Sequence, residues 1–267
     1  MAGILKTCIS GLPGGNLQLR KAFRVLQRHF TVYTKLYKSS IALNFVEPAL
    51  YLSALGLGLG AFVKEIDGLP YIKFIAPGII ASSSMFAATY ECTYGTYVRM
   101  VFQKTFDAIL ATPVNIDDLI AGELMWGASK SMFYGTIIMV VISLFGLVDS
   151  PTILLVIPLL FISGLIFAEI SILSVAIVPG IDSFNYFYTL FMTPMFLFSG
   201  IFFPLSTLPP VIAKIAFFTP LYHLVNACRA FALGRLSGVE WDILWLLVAV
   251  TILSPYPFRL MRRRIIK

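Results

Sequence analysis

The stretch FSGIFFPLSTLPP, residues 198–210, followed by VIAKIAFFTPLYHLVNACRAFAL, residues 211–233, decides how this chain is folded. A glycine, three prolines and two adjacent phenylalanines interrupt sequence that is otherwise apolar and helix-forming. Pro220 divides residues 211–233 into halves of about ten residues, each short of the ~20 needed to cross a bilayer. A proline inside a helix removes a backbone donor and breaks the run. The economical arrangement is a re-entrant helical hairpin over 206–234 that dips into one leaflet and returns. Backbone of that kind survives at membrane depth only when buried in protein or lining a cavity. The stretch therefore predicts the hinge where one span stops and a plug begins, with Phe198, Phe202 and Phe203 as gate residues and Pro204, Pro209 and Pro210 setting the geometry.

The rest of the composition agrees with a membrane setting. Of 267 residues 58% are hydrophobic and 12% charged, about half the roughly 25% charge of soluble domains, and the mean hydropathy is +0.88. The apolar runs are long and continuous rather than ~10-residue alternating strands, which excludes a β-barrel. The net charge of +7 does not indicate nucleic acid, because it sits at the two ends. Lys6, Arg20, Lys21, Arg24, Arg28, Lys35 and Lys38 precede residue 41, and Arg259, Arg262, Arg263, Arg264 and Lys267 close the sequence. That distribution follows the positive-inside rule and predicts both termini in the cytoplasm. Met1–Leu19 has no apolar core and does not read as a cleavable signal peptide. Cys8, Cys92, Cys228, His29 and His223 have no disulfide or zinc spacing.

Along the chain, LRKAFRVLQRHFTVYTKLYKSS (19–40) repeats apolar residues at three- and four-residue steps: Leu19, Phe23, Leu26, Phe30, Tyr33, Leu36 and Tyr37. Its basic residues share the other side. This predicts an amphipathic interfacial helix over 19–38. Six spans come after it, at 41–63, 71–98, 119–147, 152–179, 184–204 and 240–258, and an even number returns the C-terminus to the side of the N-terminus. The fold class is an all-α membrane protein forming one permease domain over 1–267. GLGLG places Gly56 and Gly60 in a small-xxx-small pair suited to helix packing, without the spacing of a dinucleotide loop. Between spans two and three, FQKTFDAILATPVNIDDLIAGE (102–123) predicts a short helix over 102–112, stopped at Thr112-Pro113, with Asn115 or Asp117 capping the next. A docking helix and a plain connecting loop both fit this segment.

Intramembrane carboxylates are costly and point to function or to a partner. Glu91 lies among Tyr90, Tyr94 and Tyr97; Glu169 lies in the middle of span four; Glu47 precedes Pro48. Glu91 and the tyrosines suit sugar hydroxyls and pyranose faces, while a structural pair of Glu91 with Lys130 is the plainer reading. The aromatic residues of 184–203 suit a lipid-tail path, or simple helix packing.

TFDAILATPVNIDDLIAGE (105–123) together with FSGIFFPLSTLPPVIAKIAFFTPLYHLVNACRAF (198–231) resembles the type-2 permease family of ATP-binding-cassette exporters, over essentially the whole chain from residue 20. Within it, MFAATYECTYGTYVRM (85–100) and GELMW (122–126) most resemble nodulation-factor exporter permeases. The resemblance implies a homodimer in the bacterial inner membrane with two copies of a separate ATPase, which holds the ATP and Mg. It makes 102–112 a coupling helix, with Phe102, Thr105, Phe106, Asp107, Ile109 and Leu110 as the ATPase contact. It also implies an amphiphilic, lipid-linked saccharide as cargo, with a drug or other hydrophobic molecule as the alternative. The chain itself has no GxxxxGK[ST] phosphate loop; Lys130-Ser131 comes nearest but no glycine precedes the lysine. Cofactor, metal and catalytic residues are expected to be absent. An intramembrane enzyme would have to use His223, beside Tyr222, without a nucleophile elbow, and a passive channel lacks a repeated filter sequence.

Overall fold

A computed structural model describes residues 17–266, with backbone alone at 36–45, 47 and 57. Lys6, Cys8 and the side chains of Leu36, Tyr37, Lys38 and Glu47 therefore lie outside the described residues. The first helix, α1, runs without a break from Leu19 to Ser53. The expected interfacial helix and the start of the first span are one rod, because nothing between Tyr37 and Ala42 stops a helix: no glycine, no proline. A wider π-type turn (Ala54–Gly58) and a tighter 3-10 turn (Leu59–Ala61) continue α1. A two-residue antiparallel pair comes next, β1 (Glu65–Ile66) and β2 (Leu69–Pro70), closed by Asp67 and Gly68 at φ 51° and 73°. Positive φ at both central residues is what a tight hairpin turn requires. This small strand pair is the one departure from an all-helical chain among the described residues.

Helix α2 (Tyr71–Tyr90) continues through wider, π-type turns to Phe102, giving 32 helical residues in all. Lys104, at φ 53°, ends it. The short α3 (Thr105–Leu110) leads to α4 (Ile116–Leu144). Asn115 is the N-cap of α4, and Asp118 reaches back to accept from its backbone N–H at 3.2 Å. Asp118 also accepts from the Gln18 N–H at 2.6 Å, so the same carboxylate fixes the start of α1. Then come α5 (Val156–Ile177), the short α6 (Phe184–Phe187) and α7 (Thr193–Leu197), the bent pair α8 (Pro210–Phe217) and α9 (Pro220–Leu233), α10 (Val239–Leu253) and α11 (Pro255–Ile265).

Four helical stretches are long and apolar enough to cross a membrane: Tyr71–Phe102, Ile116–Leu144, Pro151–Ile177 and Val239–Ile265. They coincide with the expected second, third, fourth and sixth spans. The expected fifth is helical only to Leu197, and the expected first is divided between α1 and the short apolar stretch Pro48–Ala61. The α8 and α9 axes meet at 82° across Phe218-Thr219, a geometry shared by a re-entrant hairpin and a broken span. Counted as one span, the pair makes five.

Helix α4 is the centre of the bundle, packed on α1, α2 and α5. Small side chains permit this: the Ser131 hydroxyl meets that of Ser84 on α2 and donates to the Leu160 carbonyl of α5 at 3.0 Å. Without a hydrophobic force between helices in lipid, such close contacts supply the cohesion. Gly56 packs as expected, since a Cβ there would stand 2.8 Å from Ile72; Gly60 meets nothing closer than 3.8 Å. Two ends can be told apart. The basic end gathers the start of α1, α3 and α11, where Arg262 grips Asp117 at 2.7 Å and Arg264 donates to the Val178 carbonyl at 2.7 Å. The far end gathers the β1–β2 turn, residues 147–151 and the irregular segment 198–210, with Lys73 paired to Asp149 at 2.6 Å.

Candidate functional site

Near the basic end, α1 crosses α4 at Gly122. A Cβ there would lie 2.6 Å from Val25 and 3.1 Å from the Ala22 carbonyl oxygen, so only glycine permits the approach. The face α1 turns inward is Ala22, Val25 and His29, while Phe23 and Phe30 point out. Small residues stand where backbones touch, and the large rings of the expected apolar stripe are left for the groove beside α4 and for lipid.

The crossing brings His29 against Glu123. His29 Nε2 lies 2.9 Å from Glu123 Oε1 without aligned hydrogen-bond geometry, and the imidazole stacks on Trp126 at 5.7 Å. The other oxygen of Glu123 accepts from Arg99 Nη2 at 2.6 Å and from Thr96 Oγ1 at 2.8 Å. Arg99 Nη1 reaches Glu91 at 2.6 Å, and Lys130 Nζ lies 3.4 Å from the second Glu91 oxygen and 4.2 Å above the Tyr33 ring. These five side chains are 1–16% exposed. Two carboxylates and two cations balance within the cluster, the condition under which buried charge is tolerated. The result is a charged clasp joining α1, α2 and α4.

The opposite face of α2 carries rings. Phe102 touches Tyr97 at 6.0 Å, Tyr97 touches Phe184 at 5.6 Å, and Phe184 touches Tyr94 at 5.2 Å. Tyr94 and Tyr90 both stack on Tyr188, at 5.7 and 4.9 Å. Tyr90 stacks on Phe86 at 5.9 Å, Phe86 meets Phe196 at 5.3 Å, and Phe196 meets Phe202 at 5.1 Å. Nine rings thus form an unbroken ladder from the basic end to the far end. Its α2 portion alone, Phe86 to Phe102, covers about 24 Å at 1.5 Å per residue.

At the far end the expected hinge segment turns at Gly200, φ +81°, where a side chain would be strained. Its carbonyl accepts from Arg229 Nη2 at 2.8 Å, and Arg229 stacks on Phe74 at 4.0 Å while donating to the Phe74 carbonyl. Pro210 opens α8 at its first turn, the position that needs no N–H, with Pro209 just before it. Phe202 joins the ladder; Phe198, at the surface, and the half-buried Phe203 make no ring contact among the described residues.

The structure divides the expected substrate-path group. Tyr90, Tyr94 and Tyr97 belong to the ladder, whereas Glu91 faces away into the clasp, where it meets Lys130 and also Arg99. Glu169 is buried in α5 and its Oε2 has no hydrogen-bond partner among the described residues. In the expected coupling helix, Phe102 and Asp107 are exposed and Ile109 and Leu110 half-buried. Thr105 and Phe106 are buried, Phe106 at 1% exposure in the core, which corrects their assignment to an exposed contact. Apolar side chains of so short a helix anchor it to the bundle first. In the sequence, His29 stands out only as a lone histidine without zinc spacing, Arg99 as a loop charge and Glu123 as part of a family motif. Arg99 is in the helix, its side chain drawn in by two carboxylates. The spacing of Glu91, Arg99 and Glu123 near the ends of two adjacent spans is the signal that could have found them. His223 holds Asp242 at 2.7 Å through Nδ1 and the Phe217 carbonyl at 2.8 Å through Nε2. With both nitrogens engaged, neither is available as the base an enzyme would need.

Four long apolar helices, a bent apolar pair and buried charge between them define a multi-pass helical membrane protein. The family model for ABC-2 type transporters matches residues 21–233, and the chain belongs to that family. Nodulation protein J of Sinorhizobium fredii is 37% identical over 80% of this chain and 82% of its own length. Nodulation protein J of Rhizobium leguminosarum bv. viciae is 35% identical over 97% and 99%. The inner membrane transport permease YadH of Escherichia coli is 22% identical over 76% and 78%. The family supplies membrane subunits of transporters and implies an ATP-binding partner subunit.

Proposed function

We propose that this chain is the permease of an exporter that carries an amphiphilic, lipid-linked saccharide out across the bacterial inner membrane. It works as a homodimer with two copies of an ATPase that binds the ATP and Mg. All six expected spans cross, both termini are cytoplasmic, and the basic end faces the cytoplasm. The ladder of nine rings carries this reading. Stacked aromatic faces hold pyranose rings and acyl chains alike, and tyrosine hydroxyls add hydrogen bonds to sugar without fixing a charge. The coupling surface is reduced to Phe102, Asp107, Ile109 and Leu110, with Phe106 and Thr105 as its anchors. Force on α3 passes through Arg99 to the clasp, tilts α1 against α4, and parts the hinge at Gly200. The bistable element such gating requires is the clasped pair of helices.

The test is transport of a fluorescent glycolipid in vesicles holding the permease with its ATPase. Wild type should move the probe in an ATP-dependent manner, and Tyr90→Ala/Tyr188→Ala should lose most of that flux while ATP hydrolysis persists. If the double variant transports as wild type does, the ladder is packing alone. Transport of an apolar dye but of no glycolipid would favour the drug-exporter alternative.

A further inference from the structure

The far end holds a polar pocket of about 480 Å³, within the ~300–1,000 Å³ range of small-ligand sites. Asp67, Tyr222, Asn226, Arg229, Arg235 and Asp242 line it. They come from four separate segments: the β1–β2 turn, α9, the 234–238 loop and the first turn of α10. Nothing in the ladder or the clasp uses them.

Several of these groups are held in place from behind. Arg229 is fixed by the ring of Phe74 and by the carbonyls of Phe74 and Gly200. Asp242 is fixed through Oδ1 by His223, which stacks on Trp245 at 4.4 Å and binds the Phe217 carbonyl. Asn226 is half-buried, and its amide has no hydrogen-bond partner among the described residues. The amide faces the open pocket, where water or a ligand hydroxyl completes its hydrogen bonds, so it offers a donor and an acceptor to whatever enters. Two arginines against two aspartates cancel in formal charge, which disfavours an anion as the occupant. A sugar hydroxyl donates and accepts at once, and suits a ring of carboxylate, amide and guanidinium groups better than any singly charged ligand does.

We propose that this pocket is a saccharide-binding site on the outer face, where a neutral sugar headgroup docks as cargo leaves. Its placement in the membrane rests on the exporter reading above, but its ligand chemistry stands on its own residues. Arg229 couples it to the hinge: the same guanidinium that lines the pocket holds the Gly200 carbonyl. A headgroup bound there loads the turn at which α7 gives way to the hairpin.

The experiment is saturation-transfer NMR on the permease–ATPase complex in lipid discs, with cellotetraose, maltotetraose and chitotetraose as probes and inorganic phosphate as competitor. Wild type should transfer saturation to at least one tetrasaccharide, undisturbed by phosphate. Asn226→Ala and, independently, Arg235→Ala should weaken that binding by about tenfold, the loss of one good hydrogen bond. Arg235 is exposed and its side chain makes no hydrogen bond or ion pair among the described residues, so its variant reports binding rather than folding. Absence of binding for all three sugars, equal binding by the variants, or displacement by phosphate overturns the proposal. Glycolipid transport measured on the same preparation separates the two claims. Transport without sugar binding sinks the pocket alone, and sugar binding without transport sinks the cargo reading alone.

Discussion

Glu123→Gln keeps the shape of the side chain and removes its charge. The clasp then holds Arg99 and Lys130 against Glu91 alone, one net positive charge in a site 1–16% exposed. Removing one partner of a buried pair costs ~3–5 kcal/mol, and because Arg99 keeps Glu91 at 2.6 Å the lower figure of about 3 kcal/mol applies. At ~2–4 °C per kcal/mol for a chain of this size, the melting temperature should fall by about 6–12 °C. Arg99→Gln made in the same background restores the charge balance, leaving Glu91 with Lys130 at 3.4 Å. The double variant should therefore melt above the Glu123→Gln single, since residues sharing one network are not additive. Thermal unfolding in lipid discs reads both values. A single variant within ~1 °C of wild type, or a double variant falling by the sum of the two singles, would refute the clasp as a buried and coupled unit.

Gly200→Ala is expected to destabilise by ~1–3 kcal/mol, because φ +81° is strained for any side chain, and limited proteolysis should then cut near the hinge. Phe106→Asp places an unpaired charge in the core and should abolish folding, seen as loss of a monodisperse peak in detergent. Phe102→Asp with Asp107→Lys, both at exposed positions, should leave that peak intact and weaken pull-down of the ATPase. Glu169→Gln is expected to be tolerated in both melting temperature and transport, since the carboxyl has no ion-pair partner among the described residues to lose. A loss of transport with an unchanged melting temperature would instead make Glu169 part of the path.

The larger architecture was legible because bilayer physics leaves few choices. Long apolar runs had to be helices, and Pro220 with the short halves around it had to bend the α8–α9 pair. The breaks were less legible. Composition changes between the interfacial helix and the first span, but no stop signal exists there, and the backbone simply continues. Phe23 and Phe30 were legible as an apolar stripe, yet periodicity did not show that Ala22, Val25 and His29 form a second, inward face packed on α4. Glu91 could be seen to need a partner, and Lys130 was the nearest candidate on the adjacent span. Arg99 was hidden because a loop boundary drawn at Val98 put it in water. His29 and Glu123 lie 94 residues apart in the chain and meet only because Gly122 lets α1 and α4 touch.

The unbroken run of α1 has a mechanical meaning. His29, held at the clasp, and Tyr51, whose ring meets Phe196 at 5.6 Å and Phe202 at 6.4 Å, sit on the same rod, about 33 Å apart at 1.5 Å per residue. A lever of that length magnifies small angles: a tilt of about 5° at the clasp swings Tyr51 by roughly 3 Å, taking the same helical rise. That is enough to unseat a ring from its neighbours. On the proposed exporter reading, this one arm carries a push from the basic end to the aromatic contacts at the far end, yielding only where Pro48 removes a backbone hydrogen bond.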